Sequence, residues 1–524
     1  MLAAVVFAGL AQAVDLLGDH AFNNALTVSL LMLSGTVGLI RLLFFSGLVR
    51  RTRLLFFGAV LALVAAFFTV FRVEGFTGEM FPKFALRFGA PPPVVPRKLE
   101  PVSDGDLDAG PRVDLTTTTP FDFPHFLGPR WDQTIDTVVL SSDWKARPPK
   151  ELWKQPIGAG WSGFAIVNHS AVTLEQQGEI EYVTCYDVET GRLEWSHGTE
   201  TRYELLIAGT GPRSTPTIDG GRVYTLGATG CLSCLDGATG KPIWKHDLRE
   251  MYDISDAEEH ASIQFGRANS PLVINDLVVI PVGGPLGKKR AGLVAFDKLT
   301  GERVWEGDDR NASYSTPVLT TIGGIPQILI VNEDSVSSHD PQTGKTLWDY
   351  PWLGKTSGDA NVSQAVPVGA DRVFLSKGYV RGAKLLQIDT SPDGAQAPRE
   401  LWKNPQVLKT KFTNVVVHQG FVYGLSDGIL ECIELETGQR AWKEGRYQHG
   451  QILLVGELLL VLSESGELVL IEPSPREKNR VLARMQVLEG KTWNPLALAG
   501  RFLLIRNGEQ SACYELPVEN DADR

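Results

Sequence analysis

The sequence predicts an all-β, eight-bladed propeller preceded by an N-terminal α-helical transmembrane region. Three observations carry that expectation. A phrase returns along the chain: small residue, apolar residue, Asp, two variable positions, Thr-Gly, then Trp eight residues after the Asp. Its spacing, about 40–50 residues, suits a propeller blade of several short strands. And the first 72 residues hold apolar runs of membrane-crossing length.

The clearest copies are Cys185-Tyr186-Asp187 with Thr190-Gly191 and Trp195, Cys234-Leu235-Asp236 with Thr239-Gly240 and Trp244, and Ala295-Phe296-Asp297 with Thr300-Gly301 and Trp305. Two more are Ser338-His339-Asp340 with Thr343-Gly344 and Trp348, and Cys432-Ile433-Glu434 with Thr437-Gly438 and Trp442. Looser copies centre on Asp389 (with Trp402), Glu472 and Glu515. The acidic residue bonds its own backbone and Gly supplies a positive φ, so the phrase is a turn between two strands. The Trp is expected to wedge between neighbouring blades. The last copy has no Trp after Tyr514, whereas Leu152-Trp153 is an orphan Trp strand at the start. If that strand completes the last blade, the ring closes and no sheet edge stays open.

Four segments follow: residues 1–72 as a membrane region with two to three helices, 73–149 as a Pro-rich linker ending in an aromatic clasp, 150–516 as the propeller, and 517–524 as a disordered tail. The apolar stretches are Leu2 to Gly18, Ala25 to Val49, and Leu54 to Phe71. Arg50, Arg51 and Arg53 lie between the last two, which makes that loop cytoplasmic by the positive-inside bias. The third stretch then runs outward. The propeller is expected in the periplasm, anchored in a bacterial inner membrane. Phe123-Pro124-His125-Phe126-Leu127-Gly128-Pro129-Arg130 is expected to clasp the propeller's outer face.

A net charge of −11 argues against a nucleic-acid partner. Five cysteines exclude a complete disulfide framework. Cys185, Cys234, Cys432 and Cys513 occupy the small-residue slot of the phrase and read as buried core. Cys231 and Cys234 are a lone C-x-x-C whose spacing on a strand sends them to opposite faces.

The repeated phrase and Phe-Pro-x-Phe-x-Gly-Pro resemble the quinoprotein, or PQQ-like repeat, eight-bladed propeller family over roughly residues 121–516. The chain resembles the propeller subunit of the outer-membrane β-barrel assembly machinery more than the PQQ dehydrogenases. The resemblance implies the fold, and it admits both calcium- and PQQ-dependent dehydrogenases and non-catalytic members.

Inner strands should begin near Pro216, Pro271, Pro317 and Pro495. The position before that anchor holds Gly163, Thr215, Ser270, Thr316, Ala365, Asn414, Gln451 and Asn494. Two positions earlier come Trp161, Arg213, Tyr314, Phe412, His449 and others. Small polar residues suit narrow inner strands and a hydrated channel. They also suit a ligand or peptide pocket, for which Trp161, Arg213, Arg267, Tyr314, Gln364, Asn414, Gln451, Lys491, Trp493 and Asn494 are the candidates. Trp161 and Trp493 would supply flat faces, and Arg213, Arg267 and Lys491 would hold a carboxylate. The two tryptophans should be neighbours across the closure. The docking residues are Trp153, Trp195, Trp244, Trp305, Trp348, Trp402 and Trp442.

This ring carries no Asp or Glu, and the chain has no adjacent Cys pair. No catalytic residue and no metal ligand is therefore assigned, and no cofactor is expected. The reading is a non-catalytic scaffold binding a protein or ligand in the envelope. Its alternative is a membrane-bound PQQ dehydrogenase with Ca²⁺, and a different oxidase would draw on Asp253, Asp256, Glu258 and Glu259. A sensor coupling an external ligand to the membrane helices is a third class.

Overall fold

Each copy of the phrase folds as the outer hairpin of an antiparallel sheet in a computed structural model that describes residues 19–88 and 113–519. Asp187 shows how the turn is made. Its carboxylate accepts from the Thr190 amide at 2.8 Å and hydroxyl at 2.6 Å, and the Gly191 amide donates to the Asp187 carbonyl at 2.9 Å. Asp236, Asp297 and Asp340 repeat these bonds.

The Trp that follows docks on the glycine of the next blade. A β-carbon at Gly240 would stand 2.5 Å from the Trp195 ring, and one at Gly344 would stand 2.4 Å from Trp305. The same relation joins Trp153 to Gly191, Trp244 to Gly301 and Trp402 to Gly438. Glycine is thus required twice, by a positive φ and by the ring on its Cα. The indole N–H of Trp195 also donates to the Gly237 carbonyl at 2.9 Å, and that of Trp153 to the Val188 carbonyl at 2.8 Å. Trp348 departs from the pattern. Blade five lacks Thr-Gly, and the Trp348 indole donates to Gln327 of its own blade at 2.8 Å.

Eight such sheets close into a propeller. Blades one to seven span 165–200, 217–247, 272–306, 318–351, 366–404, 415–446 and 451–486. The eighth joins three C-terminal strands, within 497–515, to the strand Lys150–Pro156. There Trp153 pairs with Cys513, so the orphan Trp strand does complete the ring. Buried Arg506 fastens the seam, donating to Thr173 Oγ1 at 2.9 Å and to the carbonyls of Leu174 and Gly158 at 2.8 Å each. Burial lowers its pKa to about 10. Cys185, Cys234, Cys432 and Cys513 are buried free thiols, raised in pKa chiefly by burial.

The clasp lies elsewhere than on the outer face. Phe123 pairs with Ile166 of blade one, the Ile218 amide of blade two donates to Pro124, and the Gly500 amide of blade eight donates to Phe121. Thr134–Ile135 then adds a parallel fifth strand to the inner strand of blade seven. Trp131 stacks on His125, with ring centroids 4.4 Å apart, and packs against the core of blades three and four. The segment therefore runs across the ends of the inner strands, because those ends offer unpaired backbone groups and an apolar floor. Residues 517–519, expected in the tail, are ordered by the same segment: Ser141 donates to Pro517, and Glu519 to Val139.

Of the described residues, 19–88 with Leu205–Gly209 form a separate unit. In it, helix α1 spans His20–Phe45 and helix α2 spans Arg50–Val70. Both are long and apolar enough to cross a membrane. The stretch Leu2 to Gly18 lies outside the described residues. Arg50, Arg51 and Arg53 form the first turn of α2 rather than a loop. Arg53 reaches back to the carbonyl of Leu43, otherwise orphaned in the last turn of α1, at 3.0 Å, and to that of Leu48, between the helices, at 2.8 Å.

Candidate binding site at the channel mouth

The first strand of each blade is innermost, and the strands of neighbouring blades meet there. The residues just before them form one mouth of the channel, opposite the clasp. Their small polar side chains latch one blade to the next. The Gly163 amide donates to Thr215 Oγ1 at 3.1 Å, the Thr215 amide to Ser270 Oγ at 2.9 Å, and the Ser270 amide to Thr316 Oγ1 at 3.0 Å. The Thr316 amide donates to Gln364 Oε1 at 2.6 Å, and the Gln364 amide to Asn414 Oδ1 at 2.7 Å. Gln364 rather than Ala365 takes the position in blade five. Gln451 continues the series, donating to the carbonyls of Phe412 and Trp493 at 2.8 Å each. Asn494 donates to those of Gly160 at 3.1 Å and Ser162 at 2.8 Å, across the seam. Four of the ten candidates, Gln364, Asn414, Gln451 and Asn494, are thus buried in the ring's own hydrogen bonding.

Arg267 is also engaged. It is 1% exposed and holds Glu259 in a two-bond fork at 2.8 and 2.9 Å, with a third bond to the Val282 carbonyl at 2.8 Å. Glu259 comes from helix α3, Asp256–Ser262, whose start is fixed by a capping box of Ser255 and Glu258. The other acids of that insertion have partners too: Asp256 with Arg249, and both Asp253 and Glu258 with Lys288.

The remaining candidates fall into two groups. Trp161 and Trp493 lie 5.0 Å apart, as their register predicts, and Phe412 lies 4.9 Å from Trp493. Lys491 Nζ stands over both indoles, 4.1 Å from Trp493 and 4.9 Å from Trp161. The Trp493 indole N–H is buried and has no acceptor among the described residues. Farther round, the Arg213 guanidinium covers the Tyr203 ring at 4.7 Å, and Lys411 Nζ lies 5.5 Å from the Tyr379 ring. Tyr314 accepts from the Phe265 amide at 3.1 Å and donates to the Thr356 carbonyl at 2.7 Å. Its hydroxyl is raised in pKa chiefly by burial, with Tyr203, Arg213 and Tyr379 close enough to act on it.

Tyr203 and Tyr379 were not among the candidates, because both sit in irregular loops that the repeat does not index. Acids lie behind the cations: Asp427 is 3.7 Å from Lys411 Nζ, and Glu464 accepts from the His449 amide at 3.2 Å. Among the described residues no three His, Cys, Asp or Glu side chains group as a metal site. The cationic, aromatic donor set suits a carboxylate-bearing ligand. It does not fit a calcium ion, which needs six to eight oxygens.

The fold and this mouth define a class: closed eight-bladed propellers of PQQ-like repeats. Residues 145–444 match the family described as outer membrane protein assembly factor BamB, and the chain belongs to that family. Its sequence is 28% identical over 155 residues to quinohemoprotein alcohol dehydrogenase ADH-IIG of Pseudomonas putida, a match covering 27% of this chain and 19% of the relative. The chain thus spans about a fifth of that relative's length. Among solved structures, the quinohemoprotein alcohol dehydrogenase ADHIIG of Pseudomonas putida HK5 aligns with a TM-score of 0.52 at 12% identity, over 77% of this chain and 82% of that one. BamB from Moraxella catarrhalis aligns with a TM-score of 0.49 at 15% identity, over 70% of this chain and all of the other.

Proposed function

We propose that this protein is a membrane-anchored, non-catalytic scaffold whose propeller binds an envelope protein, or a ligand, through carboxylates at the channel mouth. The observation that carries the reading is Lys491 held over Trp161 and Trp493, with Arg213 on the Tyr203 ring. Flat aromatic faces beside fixed cations suit an acidic, apolar peptide segment. The closed ring keeps them in place. Arg50, Arg51 and Arg53 at the start of α2 favour that end in the cytoplasm, which directs α2 outward and the propeller into the periplasm of an inner-membrane protein. The family's description as an outer membrane protein assembly factor favours a protein partner in envelope assembly.

A photo-crosslinking residue at Phe412, in the full chain in intact cells, tests this. The expected adduct is one protein species that disappears with Lys491→Glu and with Arg213→Glu. An adduct indifferent to both reversals refutes the role of the mouth. The dehydrogenase alternative is tested on the same chain in detergent by titrating PQQ and Ca²⁺ against Trp fluorescence. Saturable, calcium-dependent quenching at micromolar ligand would replace the scaffold reading.

A further inference from the structure

The chain leaves α2 directly into a two-stranded hairpin, β1 (Phe71–Phe76) and β2 (Pro82–Leu86). Its register sorts the side chains by polarity. Phe71 pairs with Leu86 and Val73 with Phe84, so these four share one face. Arg72, Ala85 and Lys83 share the other, and Arg87 continues it. Phe84 is 45% exposed, Leu86 46% and Phe88, the next residue on the apolar face, 70%. An isolated hairpin with one open apolar face is marginal in water.

This hairpin is fixed to the helices rather than tethered. Arg87 donates from its backbone to the Val70 carbonyl at 2.7 Å and from Nε to the Phe68 carbonyl at 2.9 Å. Two carbonyls at the end of α2 are thereby satisfied where water is scarce. Phe67, in the last turn of α2, meets Phe71 at 4.9 Å and Phe84 at 5.2 Å, so the aromatic surface runs unbroken from helix to hairpin. Asn24, near the start of α1, donates to the Glu79 carbonyl in the hairpin turn at 2.8 Å. The hairpin therefore binds both helix ends on the same side of the pair.

We propose that the hairpin is a membrane-interface element. It lies at the outer boundary of the bilayer, with Phe71, Val73, Phe84, Leu86 and Phe88 in the acyl-chain margin and Arg72, Lys83 and Arg87 toward the headgroups. Its partner is the lipid surface itself. Continuity with the apolar surface of α2 argues for that occupant, as does the phenylalanine cluster at helix-end level, where aromatic belts form. The proposal rests on α1 and α2 spanning the membrane.

The test uses the full chain with Cys231→Ala, reconstituted in phosphatidylethanolamine–phosphatidylglycerol vesicles whose acyl chains carry bromine. Bimane is attached at Phe84→Cys, Leu86→Cys, Lys83→Cys or Leu61→Cys in separate samples. Quenching at 84 and 86 is expected to reach at least about half that at 61, within α2, while 83 shows less than about a tenth. Quenching at 61 with none above the level of 83 at 84 and 86 overturns the interface hairpin and leaves the spanning helices standing. Absence of quenching at 61 overturns the spanning reading and the hairpin with it.

Discussion

Replacing Glu259 with Ala isolates the role of Arg267. The guanidinium is 1% exposed and receives two of its three described hydrogen bonds' worth of acceptors from Glu259, the third being the Val282 carbonyl. Removing one partner of a buried, forked ion pair leaves the other charge uncompensated, at a cost of about 3–5 kcal/mol. At about 2 °C per kcal/mol, the low end of the scaling for larger domains, the propeller's Tm falls by about 6–10 °C. The double variant Glu259→Leu/Arg267→Met removes both charges and should recover most of that loss, since an apolar pair of similar volume is often as stable. Thermal unfolding followed by near-UV circular dichroism reads both. A fall of less than about 2 °C in Glu259→Ala would refute the reasoning. It would show that Glu259 does not hold Arg267, and would return that cation to the set available to a ligand.

Trp153→Ala removes the wedge at the closing seam and its bond to Val188, and should cost about 3–5 kcal/mol. Limited proteolysis should then cut within 150–156 before any other blade, and simultaneous loss of all blades would contradict a weak seam. His125, buried within the clasp, has its pKa lowered by burial to about 4 from 6.5. The unfolded chain takes up this proton first, so stability is lost as pH falls from 6.5 through 4. His125→Phe should flatten that acid limb by up to roughly 3 kcal/mol in urea midpoints compared across pH. Glu181 has the opposite sign. Burial raises its pKa to about 7 from 4.5, so the folded chain keeps its proton longer and stability falls as pH rises between those values. Glu181→Gln should gain up to roughly 3 kcal/mol at pH 8 and little at pH 4, and an equal gain at both would exclude titration as the cause.

Where the chain repeats, it could be read. The missing Trp after Tyr514 assigns Trp153 to the last blade, and the Trp153–Cys513 pair is that assignment in space. Trp161 and Trp493 were brought together by register alone. Where the chain stops repeating, periodicity says nothing. Arg267 looked like a channel cation because its position relative to Pro271 was legible, while the helix carrying Glu259 back to it lies in a non-repeating insertion. Blade five has a looser turn, and its latch shifted by one residue, to Gln364. The clasp was visible as aromatic and turn-rich, but its path was not, because it docks through backbone bonds that any side chain permits.

The seam in blade eight sets the order of events during synthesis. Tyr514 bonds Glu151, a residue 363 positions earlier, at 2.7 Å. A ribosome adding about 5–20 residues per second needs roughly 20–70 s to span that interval. Through that time Lys150–Pro156 waits as a solitary edge. Seven blades can stack before it finds its partner. A nascent chain of this protein therefore carries an open strand edge until the strand Gln510–Glu515 has been made.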